Sequence, residues 1–243
     1  MQYLNIVTLM HLGWQRAAYP GRFFTSPKKL IAKALKIGYR GVMMLPTRGA
    51  DGEEPDVAFY EDAWDFMPDA GLIAYLRQRR QLRECLIQWL VSPGDSECRR
   101  ITARYEARDI PKIGHVLGDP LTRYVEIHSG LGLNLPRIFE ALVEAGQRAC
   151  FDTGHWLEMG LGVEEVRRIA GMVDVMHLNP ADVNSYLEDK AERERHLRLL
   201  AEVQRVRGAR LPVVVEYNPG IRALFDRHYS RNTAERMLHS IPS

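Results

Sequence analysis

A chain of 243 residues is long enough for one large domain or two small ones, and α/β barrels of about 250 residues commonly form a single domain. Hydrophobic residues make up 46% of the chain and charged residues 26%, which is the usage of a globular protein and excludes a disordered one. The formal net charge of +2 excludes binding of a polyanion by charge alone, and it therefore disfavours a dedicated nucleic-acid-binding protein.

The cysteines and the first residues indicate where the protein works. Cys85, Cys98 and Cys150 form no CxxC pair, so neither a disulfide framework nor a cysteine zinc site is expected. Residues 1–5 carry no basic stretch typical of a signal peptide. No apolar run approaches the ~18 residues that a membrane span needs. The sequence therefore predicts a soluble, cytoplasmic protein with no membrane association.

Short β-branched runs alternate with amphipathic stretches along the chain, which is the pattern of βα units on a parallel sheet. The first elements are a strand over 3–10, a helix from Ser26-Pro27 to Gly38, and a strand over 41–45. Hydrophobic periodicity predicts four further helices in the second half of the chain, over 135–145, 163–170, 187–207 and 232–240.

The middle of the chain has a weaker pattern. Residues 46–67 combine glycine, proline and aromatic side chains, and they predict a long loop that acts as a lid or binding segment. A strand over Leu86–Val91, a helix over 95–107 and a strand over Ile113–Leu117 follow. Only residues 118–120 then precede the next strand, so the connection between strands 4 and 5 lacks a regular helix. No linker is recognisable, and a single domain over 1–243 is expected.

Four apolar runs in the second half of the chain each end on a side chain that can bind a metal ion. These residues are Glu126, Asp152, His177 and Glu216. Their successive separations are 26, 25 and 39 positions, close to the roughly 30 residues of one βα unit in an eightfold barrel. Because parallel neighbouring strands have their carboxyl ends at one rim, where barrel active sites lie, these side chains are expected to converge.

Three carboxylates and an imidazole gathered at one rim predict a bound divalent cation. Without a cation the carboxylates would repel one another, whereas a cation gives each an opposite charge and gives the imidazole nitrogen an acceptor. The turn after Asp152, with Gly154 in it, brings His155 back to the same rim. His155 could be a further ligand, a group that orients a ligand, a substrate contact or a turn histidine bonded to backbone; Trp156 could stack on a sugar ring or cover the core.

These motifs resemble a known family. Glu126, the run FDTGHW over 151–156, the run MHLN over 176–179 and the run VVEYNPG over 214–220 resemble the last four strands of the xylose-isomerase-like TIM-barrel superfamily. That superfamily includes sugar isomerases and epimerases, inosose dehydratases and apurinic-site endonucleases. The resemblance covers 123–220 and also 38–42, which is similar to the second strand, whereas 46–120 matches poorly. It implies a (β/α)8 TIM barrel, here with a missing or irregular helix between strands 4 and 5.

The resemblance also implies roles for individual residues. Members with one metal ion bind it through a Glu, an Asp, a His and a Glu on these four strand ends. The histidine that matches His155 contacts substrate in the epimerases and binds a metal ion in the endonucleases. The endonucleases add histidines on the third and fourth strands and after the seventh, but the third-strand candidate over 88–91 has none and Asn184 stands at the last position. His115 could supply one missing ligand. These departures favour one metal ion over three.

The predicted function is a metal-dependent isomerase or epimerase of a sugar or sugar phosphate, acting through an enediolate intermediate in carbohydrate metabolism. One divalent ion is expected, Mn²⁺ or Mg²⁺ before Zn²⁺ or Co²⁺, because four protein ligands leave about two octahedral positions for substrate oxygens. Glu126 and Glu216 are the predicted proton-transferring groups, while Asp152 and His177 mainly hold the ion.

Other substrate contacts and other functions stay open. Trp14 and Trp64 follow the first two strands, where they could line a sugar pocket or pack under a lid. One alternative function is a metal-dependent phosphodiester hydrolase resembling the apurinic-site endonucleases, although nucleic acid is the less favoured partner. Another is a barrel that has kept its metal ion but binds a ligand or catalyses an unrelated hydrolysis.

Overall fold

A closed barrel of eight parallel strands forms the centre of the molecule, with neighbours in chain order and β8 pairing with β1. The computed structural model describes residues 1–5, 26–45, 50–61, 95–132, 134–217 and 229–242. The architecture is α/β and consistent with a TIM barrel. The strands are β1 (Gln2–Asn5), β2 (Gly41–Met44), β3 (Val57–Glu61), β4 (Lys112–Gly114), β5 (Thr122–Glu126), β6 (Arg148–Asp152), β7 (Val173–Leu178) and β8 (Val213–Val215).

Eight α-helices and two 3₁₀ turns accompany the strands within the described residues. The helices are α1 (Pro27–Ile37), α2 (Asp95–Ala107), α3 (Leu135–Glu144), α4 (Thr153–Glu158), α5 (Val163–Ile169), α6 (Val183–Glu188), α7 (Lys190–Arg207) and α8 (Tyr229–Ser240), and the 3₁₀ turns are Ser129–Leu131 and Ala170–Met172. Over these ranges no helix combines the length and the apolar character that crossing a bilayer requires.

The local signals for the helix ends are confirmed. α1 begins at Pro27 and is followed by Gly38 with φ of 117°, a left-handed backbone conformation that favours glycine. The helix predicted over 187–207 is instead two helices. Asp189 leaves the helical conformation between them, and its carboxylate accepts a hydrogen bond from the backbone of Ala191, so that it caps α7.

The third strand lies where the sequence predicted a loop. β3 occupies Val57–Glu61 and pairs with β2 and β4, so the loop predicted over 46–67 is wrong at these positions. The predicted strand Leu86–Val91 lies outside the described residues. The prediction that residues 88–91 form the third strand of the barrel is wrong, because β3 occupies the third place in the ring. The aromatic residues taken for a lid alternate across the strand: Phe59 packs inside the barrel and Tyr60 packs on Tyr105 of α2.

The connection between β4 and β5, over 115–121, contains no helix and is held by a partly buried ion pair. The ammonium of Lys112 lies 2.7 Å from Asp119 Oδ2, and its side chain is only 4% exposed. Asp119 Oδ2 also accepts a hydrogen bond from the hydroxyl of Thr122. The strand predicted over Ile113–Leu117 is shorter than expected and ends at Gly114, because the chain turns there into this connection.

Two layers of side chains fill the barrel from alternate strand positions. The lower layer is apolar and we call it the floor; it consists of Met43, Phe59, Ile113, Cys150, Val175 and Val214, with Tyr3 and Tyr124 packed against it. Two residues further along each strand, the same face carries the next layer, which we call the rim. The rim includes Asn5, Glu61, His115, Glu126, Asp152, His177 and Glu216. The fold therefore sets a polar layer directly on an apolar one.

The ion pair between β4 and β5 gives a test of the fold. Asp119→Asn should lower the free energy of unfolding by about 2–3 kcal/mol, because it removes the charge of Asp119 from the buried ammonium of Lys112. Chemical denaturation measures this loss. Asp109→Asn is the control, since that carboxylate is 90% exposed and 3.8 Å from Arg123, and it should cost less than about 0.5 kcal/mol. Equal losses in the two variants would contradict the assignment.

Candidate active site

Nδ1 of His177 lies at the centre of three carboxylates. It is 3.0 Å from Glu126 Oε2, 3.6 Å from Glu216 Oε2 and 3.7 Å from Asp152 Oδ2. The side chains of Glu126, Asp152 and His177 are almost completely buried, whereas that of Glu216 is 28% exposed. The structure thus brings together the four residues that the sequence predicted as metal ligands, because they end neighbouring strands β5 to β8 of one closed ring.

His177 could hold a divalent cation together with Glu61 and Glu216, or together with Glu126 and Cys150, because the ligand atoms of each group lie within 4.8 Å of one another. Donor atoms about 2.1 Å from a shared ion are about 3.0 Å apart at a right angle and about 3.4 Å apart at the tetrahedral angle, close to the distances around Nδ1 of His177. Within the part of the chain that the structure describes, neither ring nitrogen of this buried histidine makes a hydrogen bond of suitable geometry. A buried imidazole nitrogen that faces carboxylates without such a hydrogen bond is an arrangement in which a metal ion would take the place of a proton.

Glu126 faces a second set of donors with its other oxygen. Oε1 lies 3.1 Å from Nε2 of His155 and 3.5 Å from Nε2 of His115. Ligand atoms of Glu61, His115 and Glu126 all lie within 4.8 Å of one another, as do those of Glu126, Asp152 and His155. The two carboxylate oxygens of Glu126 therefore contact different histidines: Oε2 contacts His177, and Oε1 contacts His155 and His115.

The turn after β6 positions both Asp152 and His155. Asp152 Oδ1 accepts a hydrogen bond of 2.8 Å from the backbone of His155 and so caps α4, while Oδ2 accepts one of 3.0 Å from the side chain of Asn179. A Cβ at Gly154 would overlap the backbone oxygen of Asn179, so only glycine lets the turn pack against the end of β7. The predicted return of His155 to the rim is confirmed.

Burial and mutual proximity displace the pKa values of the site. Burial, reinforced by the charge of Glu126, raises the pKa of Asp152 to about 7, and burial likewise raises the pKa of Glu216. Burial alone would raise the pKa of Glu126, but His177 and hydrogen bonds from neighbouring histidines hold it well below its usual value. The hydrogen bond to Glu126 raises the pKa of His155 to about 10. The site without a cation therefore retains protons at neutral pH.

The structure locates two rim residues that the sequence analysis missed. Glu61 at the end of β3 is 2% exposed, and its carboxylate lies within 4.8 Å of donor atoms of His177 and Glu216. Asn5 at the end of β1 lies close enough to Glu216 to lower the pKa of that carboxylate, against the effect of burial. Like the predicted ligands, Glu61 is a metal-competent side chain at the end of an apolar run. The sequence does not single it out, because residues 46–67 are predicted to form a loop.

The predicted tryptophan contacts are not part of the rim that the structure describes. Trp156 is fully buried, packs on Phe151 at 5.0 Å between ring centroids, and donates its indole N–H to the backbone oxygen of Gly162. It therefore covers the core outside the barrel, and the prediction that it binds substrate is corrected. The two other predicted contacts, Trp14 and Trp64, lie outside the described residues.

Comparison with models of known protein families gives no match, and no curated protein matches the chain significantly. Membership of the xylose-isomerase-like superfamily thus stays a prediction from the motifs.

The pKa shifts predict that cation binding releases protons. Burial alone would lower the pKa of His177, but the neighbouring Cys150 and Glu126 raise it well above its ordinary value. His177 therefore carries a proton at neutral pH, and a cation bound at Nδ1 must displace it. The cation must also displace the proton from the fraction of Asp152 that is protonated at this pH. The Kd for Mn²⁺ should therefore weaken at least about tenfold from pH 7.5 to pH 6.5. Calorimetry in buffers of different ionisation enthalpy counts the protons, and a release of none would contradict this prediction.

Proposed function

We propose that this protein is a metal-dependent isomerase or epimerase of a sugar or sugar phosphate. The observation that carries the proposal is the convergence of three carboxylates on Nδ1 of one buried histidine at the carboxyl ends of the barrel strands. Removing a proton next to a carbonyl needs a Lewis acid for the carbonyl oxygen and a carboxylate for the proton. Glu126, Asp152, His177 and Glu216 offer both from a single cluster.

The motifs quoted above support a finer classification. We propose that the barrel belongs to the xylose-isomerase-like TIM-barrel superfamily, that it forms one domain over 1–243, and that it acts in the cytoplasm on a small molecule. The helix-free connection between β4 and β5 is compatible with that classification.

The proposed chemistry divides the four residues into two pairs. Asp152 and His177 hold the ion, with Glu126 and Glu216 as the remaining ligands, and bound Mn²⁺ or Mg²⁺ would supply Lewis acidity toward the carbonyl and adjacent hydroxyl oxygens of the substrate. Glu126 and Glu216 are the carboxylates that would exchange protons with adjacent carbons of the substrate. The floor beneath them is apolar.

A second function is favoured by the far side of Glu126. His115 and His155 face its Oε1 atom while His177 faces Oε2, so one carboxylate could bridge two cations. Two ions about 3.5–4 Å apart are typical of enzymes that hydrolyse phosphodiesters. Asn184, at the position where an endonuclease would have a further histidine, instead accepts a hydrogen bond from Tyr229. A two-metal phosphodiester hydrolase is therefore the alternative, and a three-metal centre lacks this ligand.

Cation binding is tested by thermal unfolding. Mn²⁺ added to chelator-treated protein should raise the melting temperature, since a ligand at 100 times its Kd stabilises the native state by about 2.7 kcal/mol. Asp152→Asn should remove most of this effect. Glu164→Gln, a change of an exposed residue paired with Arg167, should leave it intact. Elemental analysis then counts the ions: one per chain supports the isomerase, and two support the hydrolase.

Proton transfer is tested by hydrogen exchange at carbon. The Mn²⁺-loaded protein in D₂O should incorporate deuterium next to the carbonyl of at least one ketose or ketose phosphate in a panel followed by NMR. Glu216→Gln should lower that rate by about 10²–10⁴-fold because it removes a proton-transferring group. Cleavage of abasic-site DNA without any exchange into ketoses would reject the isomerase in favour of the hydrolase.

A further inference from the structure

The ring of His155 is held between two carboxylates. Its Nε2 atom lies 3.1 Å from Glu126 Oε1 inside the site, and its Nδ1 atom lies 3.0 Å from Glu158 Oε2 on the outside. Both distances are those of charge-assisted hydrogen bonds. Each nitrogen therefore has an assigned direction, and the ring cannot turn over without losing both contacts.

The backbone of α4 sets this arrangement. His155 and Glu158 are three positions apart in the helix, which puts their side chains on the same face. The helix itself starts on Asp152, whose carboxylate accepts the backbone N–H of His155. One short segment thus joins Asp152, in the proposed cation site, to Glu158 at the surface. The side chain of Glu158 is 59% exposed, whereas that of Glu126, on the other side of the His155 ring, is 3% exposed.

The other neighbour of His155 has no part in directing its nitrogens. His128 packs beside it with 5.8 Å between ring centroids. The Nδ1 atom of His128 accepts a hydrogen bond from the backbone of Gly130, and its Nε2 atom lies 3.2 Å from the backbone oxygen of His115, to which it donates. Both nitrogens of His128 are therefore engaged with backbone, and among the described residues Glu158 is the group that faces Nδ1 of His155.

We propose that Glu158 is a positioning residue that acts through His155. By accepting a hydrogen bond from Nδ1–H, it holds the ring so that Nε2 faces Glu126 and the cation site. In the metal-free protein Nε2–H donates to Glu126, and when a cation displaces that proton the same contact would leave the Nε2 lone pair directed at the ion. A histidine oriented by a carboxylate is a stronger donor toward a metal ion, and loss of such a carboxylate typically weakens metal binding by about 10–100-fold. This inference rests on the proposed function and deepens it, because His155 would join Glu126 and Asp152 as a donor to the cation; the ligand atoms of these three residues lie within 4.8 Å of one another.

The test compares Glu158→Ala and Glu158→Gln with a matched control, Glu164→Ala, which removes another exposed carboxylate from an i,i+3 ion pair. The first readout is the ¹⁵N resonance of Nδ1 in His155 of the metal-free protein. The second is the Kd for Mn²⁺ from calorimetry. We expect Glu158→Ala to move the resonance and weaken Mn²⁺ binding by about 10–100-fold, Glu158→Gln to have a smaller effect because its amide oxygen still accepts, and Glu164→Ala to change neither.

A double-mutant cycle separates positioning from a general structural effect. In a His155→Asn background, Glu158→Ala should cause no further loss of Mn²⁺ affinity if Glu158 acts only through His155. Equal losses with and without His155 would overturn the inference, as would an unchanged resonance in Glu158→Ala. If the wild-type protein binds no divalent cation, the proposed function fails, and the resonance alone then decides whether Glu158 orients the ring.

Discussion

Burial of the carboxylates of Glu126 and Asp152 against the imidazole of His177 is the constraint on which the rest of the structure depends. Glu126, Asp152 and His177 are removed from water, and like charges this close cannot all persist without compensation. Part of the compensation comes from the histidines around Glu126, and part from protons retained by Asp152 and His155, whose pKa values are raised to about 7 and about 10. A divalent cation would replace those protons with a stronger and more localised charge.

The barrel makes such a cluster geometrically simple to build. Each strand contributes one inward side chain per layer, and the closed ring turns eight separate chain segments into one continuous rim. The floor beneath is apolar, so that Met43, Phe59 and Val214 support the polar layer without competing for its hydrogen bonds. Among the described residues, the strands themselves bring most of the charged groups of the site together.

Asp152 ties the site to the surrounding fold more closely than the other rim residues do. One of its oxygens caps α4 and the other accepts a hydrogen bond from Asn179, which follows β7. A group that both starts a helix and faces His177 is oriented before any ligand binds, which lowers the cost of ordering the site. The same turn carries His155 to the rim and Glu158 to the surface, so one segment fixes several positions at once.

The sequence by itself determined the features that short-range patterns encode. Strand ends at Glu126, Asp152 and His177 follow from apolar runs that stop at a polar residue, and α1 follows from proline and glycine signals at its ends. Only the tertiary structure decided that Val57–Glu61 is a strand, because five residues beside proline and glycine have too weak a local pattern and gain their stability from pairing with β2 and β4. It also decided which histidine meets which oxygen of Glu126 and that Trp156 faces the core, since both depend on contacts between distant segments that no local period records.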